Sequence, residues 1–336
     1  SGRITGPDAL GAKTSGLIEG DFFAQANDNI NLFRMRHAFV KLNWTRMEFL
    51  AGHTWNPLFV TDCFPGTVSF NTGTPLQSFA RNPQLRFTFR EGGIKIIAAV
   101  LSQLDYVSRG PDGPACKYIR NSATPDMHLQ LHYNAGNKES GTGIIAGGGV
   151  AYKTIVPRLE SEVSPGEVYK VDETVAGLTA IGFTKLTLRK FTLKFQARYG
   201  ENIADILAVS GYGVKEVTDP LTGRQSYTPL KSMSYWGEVH TNGNPGIGVF
   251  AGIFNNNGTR EAMSSAANPV YGLSTNISTI YRISPRIVYN SGKVRLAAEL
   301  EYTAAAYGSD YDNYYLPGNS VQVANWRGLL AVYYFF

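Results

Sequence analysis

The chain has 336 residues, of which 17% are charged and 12% aromatic, with 36 glycines, 19 tyrosines, 18 phenylalanines and a formal net charge of +5. Charge is sparse beside the roughly one quarter typical of soluble domains, yet the mean hydropathy is −0.15, which fits a structure with one polar and one apolar face. The mild charge, without a basic cluster or RNP-type motif, gives no reason to invoke nucleic acid, and no run approaches the ~18 apolar residues of a transmembrane helix.

From the start, "SGRI" reads as the tail of a strand and "TGPDALGAKTSG" as its turn. No signal peptide opens at Ser1, so the expectation is a numbering that begins after its removal, with one or two strands missing before it. Strict apolar–polar alternation, the mark of a two-faced strand, then recurs along the chain. In 84–90, Leu85, Phe87 and Phe89 face one way and Arg86, Thr88 and Arg90 the other. In 127–134, Met127, Leu129, Leu131 and Tyr133 alternate with His128, Gln130, His132 and Asn134. The same pattern runs through 190–199 and 294–302. These runs are about 9–13 residues long, well above the usual strand and suited to a tilted membrane-crossing one.

Short links ("KLNWT", "REGGIK", "NAGNKESGTG", "HTNGNPG", "YNSGK") alternate with long ones at roughly 56–80, 105–125, 154–174, 201–229, 255–276 and 306–320. Tight turns on one rim and large loops on the other are the habit of outer-membrane barrels. The expected fold is a single all-β domain over 1–336, a transmembrane antiparallel up-and-down β-barrel with about fourteen strands visible from residue 14 onward. The last strand, 321–336, places Trp326, Leu330, Val332, Tyr334 and Phe336 on a lipid face. Its terminal Phe resembles the assembly signal of outer-membrane barrels. A soluble sandwich is the weaker alternative, since its strands are rarely so long or so many.

On the polar face the same parity puts Arg34, Arg36, Arg46, Arg86, Arg90, Lys95, Lys194, Arg198, Arg282, Arg286, Arg295 and Arg327, twelve cations, against Glu19, Asp21, Glu48, Glu238, Glu299 and Glu301, six acids. A water-filled lumen lined this way draws anions. The competing reading is that these arginines pair with the acids and pack the lumen. His37 and Lys41 fall on the apolar face and Pro285 interrupts 281–289. A histidine against lipid is costly, so His37 is expected at an oligomer interface.

The segments "LIEGDFF" (17–23), "FRMRHAFVKL" (33–42), "AGHTWNPLF" (51–59) and "QSFARNPQLRFTF" (77–89) resemble the DcaP-like family of outer-membrane porins. The resemblance is dense over 17–89 and general beyond. It implies a sixteen-stranded homotrimeric barrel of the Gram-negative outer membrane, set among lipid and lipopolysaccharide. It also implies passive uptake of small anionic solutes, dicarboxylates among them, without a cofactor. It carries the family's basic lumen strands onto Arg34 and Arg36, and onto Arg81 and Arg86. His53 stands where the family commonly has Gln.

Other readings are weighed against these. A lipase-type site needs Ser and Asn beside His37, which the local sequence lacks. His128 and His132 share a face, but no third metal ligand is evident. "AGGGVAY" (146–152) lacks the Lys-Ser/Thr of a phosphate loop and reads as a strand of close approach. Trp236 and Tyr333 keep a carbohydrate- or hydrophobe-specific channel open, and an occluded barrel subunit of an envelope complex is the remaining alternative. Cys63 and Cys116 lie in neighbouring long loops, where a disulfide can pin the two together and an exposed loop with two unpaired thiols is the alternative. The loop block 108–120, with Arg109, Lys117 and Arg120, is the candidate constriction.

Overall fold

The computed structural model describes residues 1–23, 31–137 and 139–336; residue 138, in the 134–143 turn, lies outside them. A seventeen-stranded antiparallel sheet dominates. Fifteen of its strands pair in chain order: β1 Gly2–Thr5, β2 Lys13–Asp21, β3 Arg34–Asn43, β4 Met47–Trp55, β5 Arg81–Glu91, β6 Ile94–Leu101, β7 Asp126–Asn137, β8 Thr142–Ile155, β9 Val175–Thr187, β10 Phe191–Glu201, β11 Arg224–Thr241, β12 Gly246–Thr259, β13 Ile277–Ser291, β14 Val294–Tyr307 and β15 Val321–Tyr334. Fourteen of these follow residue 12, and "SGRI" is indeed a strand, β1, paired to β2. Two further strands, Ser210–Asp219 and Val270–Leu273, rise on the long-loop side and pair with the start of β11 and with each other. A five-residue helix, α1 (Lys117–Asn121), sits in the loop between β6 and β7.

The alternation read in the sequence becomes two surfaces. Leu85, Phe87, Leu129, Leu131, Phe195, Leu296 and Leu300 form an exposed apolar belt outside, while Thr88, His128, Gln130, His132, Gln196 and Glu299 are buried inside. The sheet is therefore a rolled wall with an apolar exterior and a polar interior, the pattern of a lipid-facing barrel. Among the described residues, the outer edges of β1 and β15 carry no partner strand. Gly147, in the glycine run of β8, lets the wall close up: a Cβ there would lie 2.5 Å from the Leu131 carbonyl oxygen and 2.7 Å from the Phe183 ring. That is the close approach anticipated for this run.

The residues that resist the parity have a local cause. In the β2–β3 ladder Glu19 faces His37 and Gly20 faces Met35, so Arg36 is an extra residue, a β-bulge. One inserted residue moves every following side chain to the other face. His37 thus points inward, where Nδ1 hydrogen-bonds with Thr54 Oγ1 at 2.9 Å, and Lys41 reaches Glu48 at 3.3 Å. The expectation that His37 marks an oligomer interface is corrected: it is 7% exposed and faces the interior. Pro285 sits on the outer face of β13, where the β13–β14 ladder skips from Ile283–Tyr302 to Arg286–Glu299. A residue without an N–H is tolerated at such a gap.

Candidate functional site: the lumen and its inward loop

Residues 56–80, between β4 and β5, do not stay on the rim. Their apolar members Leu58, Val60, Cys63, Leu76 and Ala80 pack against the inner faces of Ile181, Phe183, Trp236, Phe250 and Phe254. Trp55 stacks on Phe59 with ring centroids 4.2 Å apart, anchoring the outgoing end. Each fully buried apolar side chain contributes roughly 1.5–3 kcal/mol, enough to hold a segment without secondary structure of its own.

Hydrogen bonds then tie the loop across the interior. The Phe64 carbonyl accepts from Lys194 Nζ at 2.9 Å, and the Gly66 and Val68 amides donate to Glu238 and Glu299. Ser69 and Asn71 accept from Arg327 and Arg282 at 2.6 and 2.8 Å. On the return limb Arg198 donates to the Pro75 carbonyl and to Ser78 Oγ, and Gln77 accepts from Trp236 Nε1 at 2.9 Å. The loop leaves β4, crosses to β10–β15, and comes back to β5. Buried backbone groups need partners, and here the wall's charged side chains supply them.

Most of the cations expected in the lumen are neutralised in pairs. Arg34 and Arg36 both reach Asp21, at 2.8 and 2.9 Å, and Arg36 also binds Glu19 at 2.8 Å. Arg81 binds Asp105 at 3.0 Å beneath the Trp55 ring. Lys194 and Arg286 share Glu238, each at 3.0 Å. Arg282 binds Glu299 and Glu301 at 3.1 and 2.9 Å, and Arg327 also pairs with Glu301. Arg46 is displaced from the lumen: it lies in the β3–β4 turn, exposed, 2.7 Å from Glu91. Arg295 is exposed at the same rim, with its guanidinium 5.3 Å from the Phe335 ring. Arg90 is half-exposed and 3.8 Å from Glu48.

Among the described residues, Arg86, Arg198 and the inward Lys185 have no carboxylate within ion-pair distance. Arg198 is spent on the loop, as above. Arg86 donates from Nε and Nη2 to Gln84 Oε1 and from Nη2 to the Trp55 carbonyl. It lines a cavity of about 200 Å³ under the loop, whose charged lining is Lys41, Arg86, Arg90 and Lys95 against Glu48 and Asp62. A second cavity, about 490 Å³, opens at the tight-turn rim beside Gly92 and Gly93 and shares Asp62, Arg90, Lys95 and His132 with the first. A charged lining thus runs from that rim, where Arg90 and Lys95 stand against Asp62 and Glu91, to the underside of the loop, where the cations are in excess. Burial works to raise the pKa of Asp62 in this loop, but the hydrogen bond and charge of Lys95 win and hold it below the usual carboxylate range.

Three expectations are corrected by the path of the loop. Cys63 and Cys116 are both free thiols. The inward fold carries Cys63 to the wall, with Sγ donating to the Thr184 carbonyl at 3.4 Å, while Cys116 stays exposed on the other loop. Burial pushes the Cys63 thiol up to about 11. Second, the 108–120 block does not enter the lumen as residues 56–80 do. Arg109 sits in a two-residue hairpin paired to Pro114, Lys117 binds Asp112 at 2.6 Å, and Arg120 is exposed on α1, against the outer side of the wall. Third, Trp236 is 2% exposed beneath Leu76 and Gln77 and offers no face to a sugar. Lys185 and the Glu238 and Glu299 bonds to loop amides were not singled out from the sequence. Period-two reading marked their face but not what they meet.

No protein-family model matches the chain, and no curated protein matches it. Solved structures do. The outer membrane channel DcaP of Acinetobacter baumannii superposes with a TM-score of 0.71 at 17% identity, over 99% of this chain and 83% of that one. The chain has the fold of an outer-membrane porin. An anion-selective porin from Comamonas acidovorans matches at TM-score 0.54 and 12% identity, over 98% of this chain and 88% of that one. Outer-membrane OmpT of Vibrio cholerae matches at TM-score 0.53 and 11% identity, over 99% and 88%. In this fold loop 56–80 lies between the inner faces of the wall strands, and Ile203, Ile206 and Ala208 pack in the same cluster.

Proposed function

We propose that the protein is an outer-membrane porin that lets small hydrophilic solutes diffuse passively, with a preference for anions, dicarboxylates among them. The carrying observation is the cavity beneath loop 56–80, where four cations face two carboxylates and Arg86, among the described residues, has no ion-pair partner. Low-dielectric walls focus such an excess into an attractive potential, and a planar guanidinium suits carboxylate. Loop 56–80 narrows the passage, and Arg86, Arg90, Lys95 and Lys41 form the attracting wall below it. The working unit in this reading is a homotrimer in the outer membrane among lipopolysaccharide; the relative OmpT is described in a trimer form, and the Comamonas relative as anion-selective.

The test is the reversal potential of the purified protein in a planar bilayer under a KCl gradient. Anion preference that falls when Arg86 is neutralised supports the reading; cation preference overturns its charge half. A second reading rests on the apolar seal between loop 56–80 and Phe183, Trp236, Phe250 and Phe254. Under it the barrel is closed and serves as a subunit of an envelope assembly, and no conductance is seen.

A further inference from the structure

The loop block expected to narrow the lumen ends instead in helix α1, which overhangs the outside of the wall. Below it, Pro83, Leu85 and Val100 of the outer face and Ile119, Ala123 and Pro125 of the helix loop line a groove of about 490 Å³. Leu85 and Val100 face each other across the β5–β6 ladder at the top of the exposed apolar belt. Arg120 lines the same groove. It is exposed, and among the described residues its side chain has neither a carboxylate nor a hydrogen-bond acceptor. Lys117, one helical turn away on the same side of α1, adds a second positive charge, tempered by Asp112. Groove and cation lie on the long-loop rim, which in an outer-membrane barrel is the extracellular one.

We propose that this groove binds one phosphate-bearing lipid of the outer leaflet, its acyl chain along Leu85 and Val100 and its phosphate on Arg120. The inference rests on the outer-membrane placement given above. Charge complementarity selects the occupant. A neutral apolar partner would leave Arg120 unpaired beside an apolar surface, and an inorganic anion would leave the groove uncovered. A lipid with a phosphate at the head satisfies both ends, and the groove meets the belt where such a headgroup lies.

The test incubates the purified protein in detergent with bisphosphorylated lipid A, or with its dephosphorylated form, and counts lipid retained per chain by native mass spectrometry. Wild type is expected to retain one bisphosphorylated lipid. Arg120→Glu should weaken retention about tenfold or more, the worth of a charged hydrogen bond. Arg120→Lys should keep most of it, and Val100→Trp, which fills the groove, should lose it with Arg120 intact. Equal retention of the dephosphorylated lipid, or undiminished retention by Arg120→Glu, overturns the proposal. So does a change of oligomeric state in Val100→Trp, which would make the occupant a second copy of the chain. Bilayer conductance of the same preparations reads the porin function separately, so loss of one is distinguishable from loss of the other.

Discussion

Trp236 of the wall donates from Nε1 to Oε1 of Gln77 in the inward loop at 2.9 Å, joining residues 159 apart in the chain. Both partners are buried, Gln77 completely. The bond pins the return limb of the loop to β11 at the level of the core cluster.

Trp236→Ala removes both the donor and the ring. It opens a cavity worth about 3–5 kcal/mol and orphans Gln77, so the loop should detach locally while the wall stays folded. Single-channel recording should show a larger, noisier conductance, and protease added to intact protein should cut within 56–80. Unchanged conductance together with protection would show that the loop is held elsewhere.

Arg86→Gln should lower the anion-to-cation permeability ratio, and Arg86→Glu should lower it further, because among the described residues no carboxylate lies within ion-pair distance of the original charge. Arg46→Gln serves as the contrast. Its guanidinium is exposed beside Glu91, and exposed pairs are worth little and are screened within about 8–10 Å. Reversal potentials in a KCl gradient measure all three; equal effects from Arg46 and Arg86 would remove the special place of the cavity.

The two thiols should behave differently. At pH 8 a disulfide-exchange reagent should titrate one thiol, Cys116, in the folded protein and two after denaturation. Cys63 is buried, its thiol is pushed up to about 11, and the thiolate is the reacting form. The linkage has a definite sign. From about pH 8.5 the unfolded chain loses the Cys63 proton while the folded chain keeps it until about 11, so stability contributed here is intact below that window and declines across it. A denaturant midpoint that falls more steeply between pH 9 and 11 in wild type than in Cys63→Ser would show it. Two thiols reacting at once in native protein would contradict the burial of Cys63.

His37→Leu should leave the oligomeric state on semi-native gels unchanged, since the side chain meets Thr54 and Trp55 inside the barrel. The loss expected is modest, about 1–3 kcal/mol for an unpaired buried hydroxyl. Dissociation of the assembly would return His37 to a subunit contact.

Alternation made the strand count, the rims and the two faces legible from residues alone, as the outward Leu129 and Leu131 beside the inward Gln130 and His132 illustrate. It failed where one residue was inserted. Arg36 looks like any other strand residue, and only the ladder, with Glu19 on His37 and Gly20 on Met35, shows the slip. The candidate site was half legible. The basic face was named, but pairing was not, because Arg282 meets Glu299 across strands and Arg86 has no ion-pair partner among the described residues for reasons of register and reach.

Which long loop enters the lumen was out of reach for the same kind of reason. Residues 56–80 and 108–120 both carry cysteine, aromatics and polar groups, and local propensity does not separate them. What the sequence by itself determined is the pleat. A side-chain period of two needs no partner to define an apolar and a polar face, so the wall follows from it. What only the tertiary structure decided is the contents of the wall. The inward path of 56–80, the free thiol of Cys63, the unpaired charge of Arg86 and the outward seat of Arg120 depend on contacts between segments tens to hundreds of residues apart. Those contacts exist only once the sheet has rolled and brought its inner faces within hydrogen-bond reach.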